Sequence, residues 1–403
     1  MPRAPRFDIE LGAFVEEISA DLARFECAAA IGCGPGDVWI EREVPLGDGY
    51  ADILVEPPRG GAFFVENKLE YAPADVVARI RGKYGVPTST VKRAERLAVV
   101  MDHRATDGGA VEAALRESTV RGLGVEIWDV ADLPGRIEKT FGCGIADLSR
   151  ASLRDARFAI QRAHWRLAFD GKFEDFTASS SLLWHFSPWE LARLYREHGL
   201  EPSRILEPRT YEDVVVLMAD LCSFSGYVRD TPDRSQIRRR LTEFYSLARH
   251  AVLNAGGMLY QFVGDEIVAL SGMHEEQAPA VARAMRCARS LFDAGNSVSQ
   301  AWQRSLDRVQ PSRGVHIGVA VGDIDLMPLR PFSLSHIGFI GDALNMASRL
   351  MGEARADEAV VSNRFYTQLD PGHQARLAEI EPIEAKNIGR IRGWRFTHRP
   401  GEA

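Results

Sequence analysis

The chain has no paired cysteine motif. Its five cysteines, Cys27, Cys33, Cys143, Cys222 and Cys287, are an odd set without any CxxC spacing. That argues against a zinc site or a disulfide framework and leaves them as small apolar side chains in a reducing compartment. No apolar run approaches the roughly 20 residues that span a bilayer. The N-terminus has no apolar signal-peptide core. A cytoplasmic chain with no membrane partner is therefore expected. Positive charge is not in excess either: 49 Lys and Arg against 56 Asp and Glu give a net charge of −7. Such a balance excludes bulk binding to nucleic acid or anionic membranes, although local basic patches are compatible with it. Internal repeats and low-complexity segments are absent.

What is present is enough sequence for more than one core. A length of 403 residues suits two domains and a connector. Residues 1–150 read as an α/β domain. Leu11, Phe14, Val15, Ile18, Leu22 and Phe25 recur at helical spacing across Phe7–Phe25. Strand-like runs follow at Val38–Val44, Tyr50–Val55, Ala62–Glu66, Leu97–Met101 and Val125–Val130. Residues 151–208 read as a helical connector with three tryptophans, Trp165, Trp184 and Trp189, as core or interface residues. Ser187-Pro188-Trp189-Glu190 is a helix start, serine as cap and proline in the first turn. Residues 209–403 give strand, helix, hairpin, helix and strand: Val214–Asp220, Arg238–Ala255, Met258–Val263 with its return strand, and His316–Val321. A further helix is expected over Ala343–Met351. The order suggests a ferredoxin-like α+β sandwich.

The chemistry concentrates in this last part. Asp220 closes an apolar strand, where an uncompensated carboxylate beside a core is costly, so it should face a cation or a solvated pocket. Asp265 follows Gly264 at a hairpin, and alone it would pass for a turn residue. Together, two carboxylates on neighbouring strand ends can share two Mg²⁺ or Mn²⁺ ions, an arrangement suited to in-line attack at phosphorus. Asn345 and Arg349 are four residues apart and so share a helix face. Alone they are a solvated face. Beside a phosphate site, an amide can orient a sugar oxygen and a guanidinium can stabilise charge on phosphorus.

Read in order, the strings are Asp220-Leu-x-x-Phe224-Ser-Gly, Gly256-Gly257, Phe262-Val-Gly264-Asp265-Glu266, Gly314-Val-His316-Ile-Gly318, and Gly341-Asp342-x-x-Asn345-x-x-Ser348-Arg349. The set resembles the catalytic domain of class III nucleotide cyclases over residues 209–398. The resemblance implies a ferredoxin-like cyclase homology domain acting as a head-to-tail homodimer with two interfacial active sites. It implies Asp220, Asp265 and the Leu221 carbonyl as ligands of two divalent cations, Mn²⁺ or Mg²⁺. It implies Asn345 as the ribose-orienting amide and Arg349 as the transition-state guanidinium, both from the other protomer. Backbone amides from Cys222 to Gly226, spanning Phe224 and Ser225, would hold the β- and γ-phosphates. Lys386, in Ala385-Lys386-Asn387-Ile388-Gly389, resembles a lysine that contacts the triphosphate.

The base-reading positions depart from the purine pattern. Adenylate cyclases usually carry a lysine, and guanylate cyclases a glutamate, where this chain has Gln261; Gly338 replaces the usual Asp, Thr or Cys. Here the domain looks like the pyrimidine cyclases of bacterial Pycsar antiphage systems, with UTP favoured over CTP as substrate. That implies a cyclic pyrimidine nucleotide read by a separate cyclic-nucleotide-binding effector. Tyr227 and Tyr260 are candidates for closing the pocket on a smaller ring. An adenylate or guanylate cyclase with a variant pocket is the alternative.

In the N-terminal part, Asp52 on one strand and Glu66-Asn67-Lys68 on the next resemble the PD-(D/E)xK restriction-endonuclease-like superfamily, with Glu16 or Glu17 as a helical acid. That implies either a nuclease site or a sensory or docking domain that keeps the fold. A defence nuclease with a cyclase-like dimerisation domain is the reading from another class. Arg79, Arg81, Lys83, Lys92, Arg93 and Arg96 make a locally basic run, a solvated face or a nucleic-acid patch.

Overall fold

The computed structural model describes residues 9–47, 49–69, 71–85, 88–102, 108–118, 122–149, 151–174, 176–275, 277–328, 337–385 and 389–398. It divides into two compact units, Met1–Leu167 and Ala168–Ala403. In the segment 151–208, the first helix lies mostly in the first unit and the later helices lie in the second. Among the described residues no helix is long and apolar enough to cross a membrane.

The first unit runs α1 (Ile9–Ile31), β1 (Trp39–Leu46), β2 (Gly49–Glu56), β3 (Ala62–Asn67), α2 (Pro73–Tyr84), α3 (Ser89–Lys92), β4 (Ala94–Met101), α4 (Gly108–Ser118), β5 (Gly124–Asp129), α5 (Leu133–Phe141) and α6 (Leu153–Ala168). Its sheet has the order β1-β2-β3-β4-β5, antiparallel across the first three strands and parallel from β3 to β5. Alternate burial along β1 gives way to burial of Ala62–Glu66 on β3, the pattern of a central strand covered on both faces. Helix α1 runs past Phe25 because Cys27 and Ala28 extend its buried stripe.

The second unit runs α7 (Phe176–His185), α8 (Pro188–His198), α9 (Pro202–Ile205), β6 (Thr210–Leu221), α10 (Phe224–Asp230), α11 (Arg234–Asn254), β7 (Met258–Val263), β8 (Glu266–Ser271), α12 (Gln277–Gln303), β9 (Val315–Pro328), β10 (Ile337–Ile340) and α13 (Asp342–Glu353). Then come β11 (Glu358–Ser362), α14 (Asn363–Tyr366), α15 (Pro371–Gln374), β12 (Ala378–Glu379), β13 (Ile383–Ala385), β14 (Gly389–Ile391) and β15 (Gly393–Thr397). The main sheet has the order β12-β15-β11-β9-β6-β8-β7, with β10 paired to β9. Within it β6, α11, β7, β8, α12 and β9 follow the β-α-β-β-α-β path expected of a ferredoxin-like domain. Ser187 caps α8 by accepting from the Glu190 N–H at 3.1 Å, as Ser-Pro at a helix start requires.

One close approach decides where the functional helix lies. A Cβ on Gly318 of β9 would stand 2.0 Å from the Ala347 carbonyl oxygen and 2.4 Å from the Met351 nitrogen of α13. Only glycine lets the helix backbone rest on the strand. Ala343, Ala347, Leu350 and Met351 then face the sheet, which turns Asn345 and Arg349 outward.

Candidate active site

Strand β6 carries six consecutive buried residues, Val214–Ala219, and then Asp220 at the edge of the core. The antiparallel register sets Asp220 directly opposite His316 of β9, and His316 Nε2 stands 3.4 Å from Asp220 Oδ2. Asp265 arrives from β7 and β8. Val263 pairs with Glu266, so Gly264 and Asp265 alone form the loop. Gly264 takes φ 66°, the left-handed value that a two-residue hairpin loop asks of its first position. The Tyr245 hydroxyl of α11 donates to the Gly264 carbonyl and fixes the tip.

The two carboxyls are near enough that each shifts the other's proton affinity. Burial first, then the bond to Asp220 and its charge, push Asp265 up to about 7. Burial alone would also raise Asp220, but the His316 ring, the Asp265 bond and the Leu221 N–H outweigh it and hold Asp220 below the usual carboxylate range. Two carboxyls this close repel when both are ionised, which drives their proton affinities apart. Glu266 is also raised, by burial and by the Asp220 charge. The donor set, two carboxylates and the adjoining Leu221 carbonyl, is all oxygen and suits Mg²⁺ or Mn²⁺. Among the described residues no cluster of three or more His, Cys, Asp or Glu side chains converges as a metal site. Cys222 is no nucleophile here: burial and the charges of Asp357, Asp220 and Asp265 push its thiol up to about 12.

The segment after Asp220 needs correcting in detail. The Cys222 N–H donates to the Gly314 carbonyl at 3.0 Å, so this amide is spent in the sheet and is not offered to phosphate. The Phe224 ring packs edge-on to Trp302, centroids 6.2 Å apart, and only its main chain remains for a ligand. The amides of Phe224, Ser225 and Gly226 precede the first bond of the turn, from Tyr227 N–H to Ser223 O. Ser225 is exposed. Tyr227 is fully buried and stacked on Trp302 at 5.1 Å, so it is a core residue and closes no pocket.

Asn345 and Arg349 are exposed, and among the described contacts neither reaches Asp220 or Asp265 within this chain. Gln261 is exposed on β7, paired with Val268, just beyond a bulge that leaves Tyr260 out of the ladder. Gly338 is buried in β10 opposite Met327. Gln261 and Gly338 are linked through their neighbours: Tyr260 Oη accepts from the Phe339 N–H at 3.3 Å, and the rings meet edge-on at 4.9 Å. Lys386 lies outside the described residues. His316 is the site residue that sequence reasoning missed. It was visible in the Gly314-Val-His316 string, but only the cross-strand register reveals its partner.

The first unit contains a second cluster. Lys68 Nζ lies 2.9 Å from Asp52 Oδ2 and also pairs with Glu66. Lys83 Nζ, from α2, lies 2.9 Å from both Glu66 oxygens and 3.3 Å from Asp52. The Tyr84 hydroxyl donates to Glu66 at 2.7 Å. Two ammoniums thus balance two carboxylates in this cluster. Burial would raise Asp52, but Lys68 and Lys83 hold it well below the usual range; burial would lower both lysines, but Asp52 and Glu66 raise them. Lys83 is thus no part of a solvated basic face. Its neighbours Arg79, Arg81, Lys92, Arg93 and Arg96 are exposed, as a solvated face requires, with Arg79 over the Tyr71 ring, Arg96 over Phe63 and Arg93 paired with Glu56. Glu16 pairs with Arg42 of β1 at 3.2 Å, and Glu17 is exposed.

Residues 206–398 match the family described as "Adenylate and Guanylate cyclase catalytic domain". No curated protein matches the chain. Similar solved structures include the guanylyl cyclase Cya2, at 18% identity and TM-score 0.41, covering 48% of this chain and 96% of that one. They include the guanylate cyclase domain of RhGC from Catenaria anguillulae in complex with GTP, at 18% and 0.37, covering 47% and 99%. The adenylyl cyclase CyaB from P. aeruginosa matches at 17% and 0.41, covering 49% and 100%. The family match spans the strand end, the hairpin and the helix just described, and the second unit carries a nucleotide cyclase catalytic domain of the adenylate and guanylate cyclase kind.

Proposed function

We propose that this domain converts a pyrimidine nucleoside triphosphate, UTP ahead of CTP, to its 3′,5′-cyclic monophosphate and pyrophosphate. The observation that carries the reaction class is the Asp220–Asp265 pair, one acid at the end of β6 and one in the β7–β8 loop, near enough to shift each other's proton affinity. Asp220, Asp265 and the Leu221 carbonyl would hold two divalent cations. When bound, these supply Lewis acidity to the attacking ribose 3′-oxygen and to the departing pyrophosphate. The remaining work falls to the chain. His316 keeps Asp220 ionised and oriented. The amides of Phe224, Ser225 and Gly226 offer donors to the β- and γ-phosphates. Arg349 neutralises charge that builds on the α-phosphate, and Asn345 fixes the sugar so that the 3′-oxygen lies in line.

Both residues are exposed on α13, as side chains that complete the site of a second protomer should be, so the reading includes a head-to-tail homodimer with two interfacial sites. The base assignment rests on three neighbours. Gln261 reads hydrogen bonds without charge, Gly338 supplies no side chain, and the Tyr260–Phe339 contact ties together the two strands that carry them. We assign the product a signalling role in antiphage defence, with a separate cyclic-nucleotide-binding effector as its reader. The first unit is assigned a sensory or docking role, because its acids are already neutralised by lysine.

Incubating the full chain with UTP, CTP, ATP and GTP in Mn²⁺ and identifying products by mass tests this. Cyclic UMP is expected, lost in Asp220→Ala and in Arg349→Ala. Cyclic AMP or GMP as the sole product would sink the pyrimidine assignment and leave the reaction class standing.

A further inference from the structure

The β7–β8 hairpin carries both Gln261 and Asp265, and something must fix it on the side away from its loop. Helix α7 does so with its last turn. His185, 8% exposed, places Nδ1 2.6 Å from the Leu259 carbonyl oxygen. Leu259 is the residue at which the β7 ladder slips, one position before the bulged Tyr260. A carbonyl only accepts, so Nδ1 carries the proton. Burial lowers the imidazole pKa more than the Leu259 bond raises it, which leaves the ring neutral at pH 7. Arg249 of α11 ties the same turn down, donating to the Leu183 carbonyl at 2.8 Å and lying 5.7 Å over the Trp184 ring. Trp184 in turn meets Phe262 of β7 edge-on at 6.4 Å.

A bulge re-aims the side chains after it, and its register must be held from outside the ladder. We propose that His185 is a positioning residue for base recognition: its hydrogen bond to Leu259 pins the bulge, so that Tyr260 meets Phe339 beside Gly338 and Gln261 faces the nucleotide. The proposal rests on the cyclase reading above. It makes the helical segment before the catalytic domain a determinant of which base is accepted. Movement of α7 along its axis would reach Tyr260 and Gln261 before it reached Asp220, which sits on another strand.

The test uses two variants of the full chain. His185→Phe keeps a ring and removes the donor. His185→Asn keeps an N–H donor close to the position of Nδ1. For each, kcat and KM are measured with all four triphosphates in Mn²⁺, and amide exchange is followed along β7. His185→Phe should lower the preference for the best triphosphate over the next at least about fivefold and speed exchange at Tyr260–Val263. His185→Asn should restore most of both. Equal losses with every triphosphate, tracking a lower Tm and not rescued by asparagine, would show a merely structural histidine and overturn the proposal alone. A wild-type chain that cyclises none of the four triphosphates overturns the cyclase reading, and this proposal with it.

Discussion

Gly318→Ala is the sharpest probe of how the sheet positions the catalytic helix. The added methyl would sit 2.0 Å from the Ala347 carbonyl oxygen, 2.4 Å from the Met351 nitrogen and 2.8 Å from the Met351 Cβ. All three belong to α13, and two are main chain, so no rotamer change relieves the clash. The helix must rise by more than about an ångström to restore ordinary contact. Overpacking of this kind costs about 1–3 kcal/mol, and backbone contact places it at the upper end. In a unit of this size that is a fall in Tm of roughly 6–12 °C. The same displacement carries Asn345 and Arg349 with it, and an ångström of misplacement can cost about 100-fold in turnover. Thermal melting gives the first number and cyclisation at a temperature well below both transitions gives the second. A variant with wild-type Tm and wild-type turnover would refute the packing argument. Lost stability with full turnover would refute the assignment of Asn345 and Arg349 to the site.

Other expectations follow from the same geometry. Asp220→Ala and Arg349→Ala protomers should each be inactive, yet mixed they should recover about a quarter of wild-type activity, since half of the dimers are mixed and each then holds one intact site; no recovery would argue against interfacial sites. Asp265 is raised to about 7 in the folded chain, so the native state holds its proton between its ordinary range near 4 and that value. This group's contribution to stability without cation should therefore fall as pH rises from about 4 to 7, while Mn²⁺ affinity rises over the same window, measurable by melting with and without Mn²⁺. In the first unit, Lys83→Met strands two largely buried carboxylates against one ammonium and should destabilise that unit by about 3–5 kcal/mol in a denaturant melt. Adding Glu66→Gln should restore part of it, and a neutral result for Lys83→Met would argue that water already screens the network.

Much of the catalytic unit was legible because its punctuation is local. Gly256-Gly257 and Gly264 bracket β7, and the expected bounds Met258–Val263 are the observed ones. The helix over Ala343–Met351 differs from α13 by one or two residues at each end, since Gly341 starts it and an apolar stripe runs through it. What escaped is nonlocal. The bulge at Tyr260 depends on β8, the partner of Asp220 depends on β9, and the inward turn of Lys83 depends on a strand pair far away in the chain. The long α12 had an expected place but no expected limits. Its buried stripe mixes Val281, Met285, Leu291, Phe292, Val298 and Trp302 with Ala280, Ala284, Ala288 and Ala294, and the alanines signal little in a sequence. The amide of Cys222 was assigned to phosphate because sequence shows which groups exist and not which are already bonded.

The two-residue loop at Gly264–Asp265 has a consequence for how this chain can vary. A longer connection would let Asp265 drift while the hairpin stayed paired, so the chain's tolerance for length stops at this point. One inserted residue changes the turn geometry and points the carboxyl elsewhere. Insertions should be accepted at the exposed segment of residues 307–309, and refused here even when the inserted residue is glycine. The loop is in this sense a gauge: its length, more than the identity of the residues around it, sets the separation of the two acids.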